Sequence, residues 1–197
     1  MLATLFALAF LQMSAAHADS VVYVLDSASR LEVNTGKSGL LGFAGHEHRI
    51  RARAFTGHIV YHAQNQTKSH FEIVIPTESL EVLTPPDTEE IRKVTAAMRT
   101  DVLDVEHYPE IRLTSHSISH SGGKVHLVGA LTMRNQTREF PLDAVVEFAG
   151  DTLRVTSTFA VKQTDYGIKP YRGGPGGTVR VADRVTFDIH IVAVRKS

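Results

Sequence analysis

Apolar and polar residues alternate in steps of two along most of this chain, the period of a strand with one buried face. Leu31 and Val33 oppose Arg30 and Glu32, and Phe71, Ile73 and Ile75 oppose His70 and Glu72. The pattern returns in Val125, Leu127, Gly129, Leu131 and Met133, then in Phe140, Leu142, Ala144, Val146 and Phe148. It runs again through Leu153, Val155, Ser157, Phe159 and Val161, and last through Val185, Phe187, Ile189 and Ile191. Segments of this kind are half-buried antiparallel strands. The connectors QNQTK, HSGGK, RNQTR and FAGDT carry turn residues between apolar runs and predict hairpins. There is no composition break and no internal repeat. One all-β domain follows, and sequential hairpins favour an up-and-down barrel or a sandwich.

A single segment departs from this period. PPDTEEIRKVTAAMRTDVL places Ile91, Val94 and Met98 at spacings of three and four, one stripe of a helix, with Asp87 and Glu90 as an N-terminal cap. The helix is expected to lay that stripe on the core and to cover part of the barrel.

In GHEHRIRARA, alternation puts His46, His48, Ile50, Ala52 and Ala54 on one face and Glu47, Arg49, Arg51 and Arg53 on the other. A row of unpaired buried guanidiniums is prohibitively costly, so the arginines face water and both histidines point inward at the strand end. Two neutral imidazoles suit zinc, copper, iron or nickel. They are only two ligands, one residue apart rather than the three of HExxH, so a metal is not expected. Glycine-rich apolar stretches lie on both sides: GKSGLLGFAG with Phe43, and TDYGIKPYRGGPGGT with Tyr166, Ile168 and Tyr171. The first reads as a flexible apolar lip, the second as a surface loop or a lid. GGPGG lacks the Gly-Lys-Ser/Thr ending of a phosphate loop.

Composition narrows the classes further. MLATLFALAFLQMSAAHA joins an apolar run to small residues, with Ala16 and Ala18 suited to signal-peptidase recognition. Residues 1–18 are therefore expected to be a signal peptide and 19–197 the exported domain. The run is too short to span a bilayer, which takes roughly 20 apolar residues, so no permanent membrane anchor is expected. Zero cysteines exclude disulfides, thiolate metal sites and Cys nucleophiles. Lys plus Arg and Asp plus Glu balance at 21 each, which gives no electrostatic reason to expect nucleic acid.

RTDVLDVEHYPEIRLTS, residues 99–115, resembles the signature of the YceI-like family, periplasmic lipocalin-like proteins that bind polyisoprenoids and related lipids. FAGHEHRIRARAFTGHI, VGALTMRNQTREFPLDAVVEF and FAVKQTDYGIK, followed by VRVADRVTFDIHIVA, fall in the family's order. The resemblance implies an extended eight-stranded antiparallel barrel whose lumen holds an isoprenoid, isoprenoid quinone or fatty chain, with no enzymatic activity and no cofactor besides the bound lipid. Gln163 stands where the family pattern has an Arg, and Ala28-Ser29 where it has His-Ser.

The residues expected to line that site are Phe43, His46, His48, Phe55, Phe71, Leu127, Leu131, Phe140, Ser157, Phe159, Tyr166 and Phe187. Gly129 and Ser157, small residues on inward faces, are expected to leave space for the chain. Residue size alone does not separate a ligand-holding lumen from a packed core in a barrel of about eight strands. The alternative is a metal-binding protein or metal-dependent enzyme that uses His46 and His48 with His58, His62 or Asp165. An adhesive β domain would instead expose large apolar patches. A homodimer stays open.

The AHA motif carries a first prediction: the exported protein begins at Asp19. N-terminal sequencing of secreted material checks it, and a protein that keeps Met1 after export would contradict it.

Overall fold

The computed structural model describes residues 20–37, 47–83, 88–121, 124–173 and 179–196. Phe43, His46, the Asp87 cap and residues 174–177 of the GGPGG stretch lie outside them. The alternating segments form strands: β1 (Val21–Leu25), β2 (Arg30–Lys37), β3 (His48–Ala52), β4 (Thr56–Tyr61), β5 (His70–Pro76) and β6 (Leu80–Val82). After helix α1 (Thr88–Ala97) come β7 (Glu110–Ser121), β8 (Lys124–Met133), β9 (Gln136–Ala149) and β10 (Thr152–Lys162). A short β11 (Arg172–Gly173) and the long β12 (Val179–Arg195) complete the order.

The order β1-β4-β5-β7-β8-β9-β10-β12 closes on itself through β12 and β1, all antiparallel, as an eight-stranded barrel. Alternation is kept along it: Val125, Leu127, Leu131 and Met133 are buried on β8, and Val185, Phe187, Ile189 and Ile191 on β12. The four hairpins form as well. At RNQTR both central residues, Arg134 (φ 46°) and Asn135 (φ 58°), are left-handed, the conformation that matches the twist of a two-residue hairpin. Asn tolerates it easily. Arg134 is held there by its guanidinium, 5.0 Å over the Tyr108 ring, and by a hydrogen bond to the Gly167 carbonyl at 3.0 Å.

Alternation does not reveal that the first three barrel strands are each broken once, at one level. β1 and β2 part at Asp26–Ser29, β3 and β4 at Arg53–Phe55, and β5 and β6 at Thr77–Ser79. Below the breaks the wall continues as β12-β2-β3-β6, with Val33 opposite Phe187 and Ile50 opposite Val82. Side chains replace the lost ladder bonds. Ser79 Oγ donates to the Ala54 and Pro76 carbonyls, and Thr77 Oγ1 donates to the Tyr108 carbonyl at 2.8 Å. The segment after the helix is knotted to this belt: Asp104 (φ 53°) accepts from the backbone of His107 and Tyr108, and its carboxylate meets His107 Nδ1 at 2.7 Å. That pairing raises the His107 pKa above its ordinary value. The DVEHYPE motif is thus a structural joint between helix and wall.

Helix α1 runs into a π-helical turn, Met98–Val102, and Met98, Val102 and Leu103 close the lower end of the barrel. Ile91 and Val94 are half-buried against the core, as the stripe predicts.

At the seam, Ser29 Oγ both donates to the Val192 carbonyl and accepts from the Val192 amide, each at 2.9 Å, where Ser29 is 6% exposed. One hydroxyl stands in for a strand partner. Ser29→Ala leaves both groups without that partner, at a cost of about 1–3 kcal/mol. For a domain of this size a melting temperature lower by about 2–12 °C is expected. An unchanged melting temperature would show that the hydroxyl does not hold the seam.

Candidate functional site: a divided apolar lumen

The inward faces do not fill the barrel. Above the belt of breaks lies a chamber of about 320 Å³, walled by β4, β5, β7, β8, β9, β10 and β12. Its polar lining gathers mostly at one end: Gln66, Ser69 and Lys124 come from the mouth, while Ile73, Leu113, Leu127 and Leu142 line the depth. The lip is aromatic. Phe148, 50% exposed, lies 4.9 Å from the Tyr61 ring and 6.3 Å from Tyr23, edge-on to the latter. Gln66 Nε2 donates to the Tyr61 hydroxyl at 3.3 Å, and Ser69 Oγ accepts from the His62 amide at 2.9 Å.

A second chamber of about 100 Å³ lies below, bounded by Val33, Ile50, Met98, Leu103, Gln163 and Phe187 among others. Ile189 borders both. Between them three phenyl rings lie in a row across β9, β10 and β12. Phe140 stacks on Phe159 at 4.7 Å, and Phe159 on Phe187 at 4.8 Å with their planes 2° apart. Phe159 faces the upper chamber and Phe187 the lower.

Phe71, Leu127, Ser157 and Phe159 come together on the upper chamber. Phe140 belongs to the partition and Phe187 to the lower side. Leu131, 1% exposed, and Tyr166, 1% exposed, are buried and line neither chamber. Phe55 stands at the break after β3 and borders a groove on the outer wall with Val22, Val24 and Val74. The Arg face of β3 is outward, as charge requires: Arg51 pairs with Glu32 at 2.5 Å and Arg53 with Glu81. Ile50 and Ala52 face the lower chamber, and Ala54 is exposed beyond the strand end.

His48 begins β3 opposite Thr35, a residue of the lower chamber, and so lies at the far end from the Gln66 and Lys124 mouth. His58 borders the outer groove beside Glu72. Among the described residues no three His, Asp or Glu side chains gather as metal ligands. Gln163 donates to the Ala182 carbonyl at 2.8 Å, so this position serves the wall of the lower chamber.

Gly129 corrects the expectation of open space. A Cβ built there would lie 3.3 Å from the Phe140 ring, which already fills the gap. The mouth residues Gln66, Ser69 and Lys124 were missed because they sit in hairpin connectors, where polar residues are read as turn chemistry.

A YceI-like domain family profile matches residues 23–193. The chain is similar in structure to BcnA of Burkholderia cenocepacia, at 17% identity and TM-score 0.67, covering 86% of this chain and 99% of that one. It is also similar to a polyisoprenoid binding domain from Saccharophagus degradans implicated in plant cell wall breakdown, at 13% identity and TM-score 0.62, covering 89% and 98%. A Campylobacter jejuni YceI protein aligns at 13% identity and TM-score 0.57 over 75% of this chain and 84% of its own. No curated protein matches at a significant level.

Tyr166 gives a pH prediction. Burial pushes its phenol up to about 12, nearby Asp165 adds to the shift, and Arg138 opposes it. In the unfolded chain the phenol ionises near its ordinary value of about 10. Between these values the unfolded state has lost a proton that the folded state keeps, so stability falls as pH rises from about 10 to 12, by roughly 2 kcal/mol. Tyr166→Phe should flatten that part of a denaturation-versus-pH curve; an unaltered slope would contradict the assignment.

Proposed function

The chain belongs to the YceI-like family, and on that premise we propose that it is an exported binding protein, a periplasmic carrier that sequesters one hydrophobic chain in the upper chamber. The observation that carries this reading is the distribution of polarity: a deep apolar chamber whose polar groups gather mostly at its open end. That is the negative of a single-chain amphiphile. Each buried methylene of a tail gains roughly 0.8 kcal/mol, enough to hold it without specific contacts. Gln66 and Lys124 at the mouth favour a polar or anionic head group. The half-exposed Phe148 and the Tyr61 ring give the chain an apolar threshold to cross on entry. The polyisoprenoid binding described for the Saccharophagus degradans domain supports the ligand class. Among the described residues no helix is long and apolar enough to cross a membrane.

A binding role rather than catalysis is favoured by the lining itself. Among the described residues its titratable groups are Tyr61 and Lys124, both at the rim, with no acid-base pair in the depth.

Ser157 tests the reading. It lines the chamber, and its Oγ donates to the Asp143 carbonyl at 2.6 Å. Ser157→Phe fills the chamber from the wall at the cost of that one hydrogen bond, about 1 kcal/mol. Extractable lipid per mole of protein should fall sharply while the protein stays folded. Loss of stability with full lipid occupancy would place the ligand elsewhere.

A further inference from the structure

The lumen is divided, and the divider is built rather than incidental. Phe159 and Phe187 are register partners on β10 and β12, both less than a tenth exposed, and their parallel stack continues into Phe140 on β9. The register partner of Phe140 is Gly129, where a Cβ would lie 3.3 Å from the ring and push it from its place in the stack. A glycine in the middle of a barrel strand weakens it, so the position is best explained by what it seats.

The level of the stack sets the depth of the upper chamber. Leu153 pairs with Phe148 at the lip, and from Leu153 to Phe159 the strand runs about six residues. At about 3.3 Å per residue and a strand tilt of roughly 35–45°, the chamber is about 15 Å deep. Half of a bilayer's hydrocarbon core of about 30 Å is the same length. At about 320 Å³ the chamber also sits at the small end of ligand pockets, and the lower one, about 100 Å³, is well below it.

Resting on the carrier reading above, we propose that the Phe140–Phe159–Phe187 stack is a length gauge. It stops the tail at the floor of the upper chamber, so the protein selects chains about one leaflet long, of fatty-acyl or short isoprenoid length, over long polyisoprenoids. Drawn from a bilayer, a longer chain must either leave its end in water or break the stack to reach the lower chamber, and both weaken it relative to a chain that fits.

Delipidated protein is offered phosphatidylcholine vesicles carrying farnesol and solanesol in equal amounts, and the bound species are counted by native mass spectrometry. The wild type should hold farnesol over solanesol by about tenfold or more, since every methylene drawn out of the bilayer and left in water forfeits its transfer free energy. Phe159→Leu with Phe187→Leu keeps this level apolar but removes the flat stack, and should bring the ratio close to one. Should that double variant not fold by thermal melting, the less buried Phe140→Leu is read in its place and should move the ratio in the same direction. Equal binding of both alcohols to the wild type, or a folded variant with the wild-type ratio, overturns the gauge and leaves the carrier reading standing. No binding of either alcohol to the wild type overturns the carrier reading, and the gauge with it.

Discussion

Everything described depends on the closure of the sheet by β12. This strand pairs with β10 from Arg184 to Val194 on one side and, on the other, with β2 through its lower half and β1 through its upper end. A barrel has no edges to protect and encloses its inward faces whatever their size. The weak place is the point where β12 passes from β2 to β1, because the ladder lapses between Asp26 and Ser29. There the Asp26 amide donates to the Val192 carbonyl and the Ser29 hydroxyl pairs with both backbone groups of Val192. Backbone polar groups at such a site must be partnered, and a small hydroxyl residue does it without a strand.

Closure alone makes a core; the breaks make a cavity. Three strands broken near one level let the wall change course, with the larger chamber above and the helix and its π-helical turn closing the end below. The aromatic row at Phe140, Phe159 and Phe187 lies between the two chambers. Above it the lining is apolar with a polar rim, the pattern on which the proposal of a one-tailed ligand rests. Below it the space is small and closed by Met98 and Leu103.

Much of the fold was legible in the alternation of β8, β9, β10 and β12, because most inward residues there are buried by closure and each hairpin connector carries its own turn residues. The helix was legible from its stripe. The breaks were not: DSAS, RAF and TES read as ordinary turns between separate strands, and only the register shows that they share a level. The site was partly legible. Phe71, Leu127, Ser157 and Phe159 face the upper chamber because alternation fixes the face, but the level of a residue along the barrel depends on strand stagger, which no single strand records. That is why Phe187 lies on the other side of the partition, and why Gly129, read as space, is a seat for Phe140. Phe55 fell in a break, where period two no longer applies. Phe43 and His46 lie outside the described residues.

A carrier holds a hydrophobic chain in its upper chamber in the cell. Native mass spectrometry of the protein isolated gently from the cells that produce it tests this without a chosen ligand. The expected mass lies above that of the polypeptide by one lipid-sized increment, lost on extraction with organic solvent, with the extract identifying a single-chain amphiphile. A polypeptide mass alone, unchanged by extraction, would contradict it.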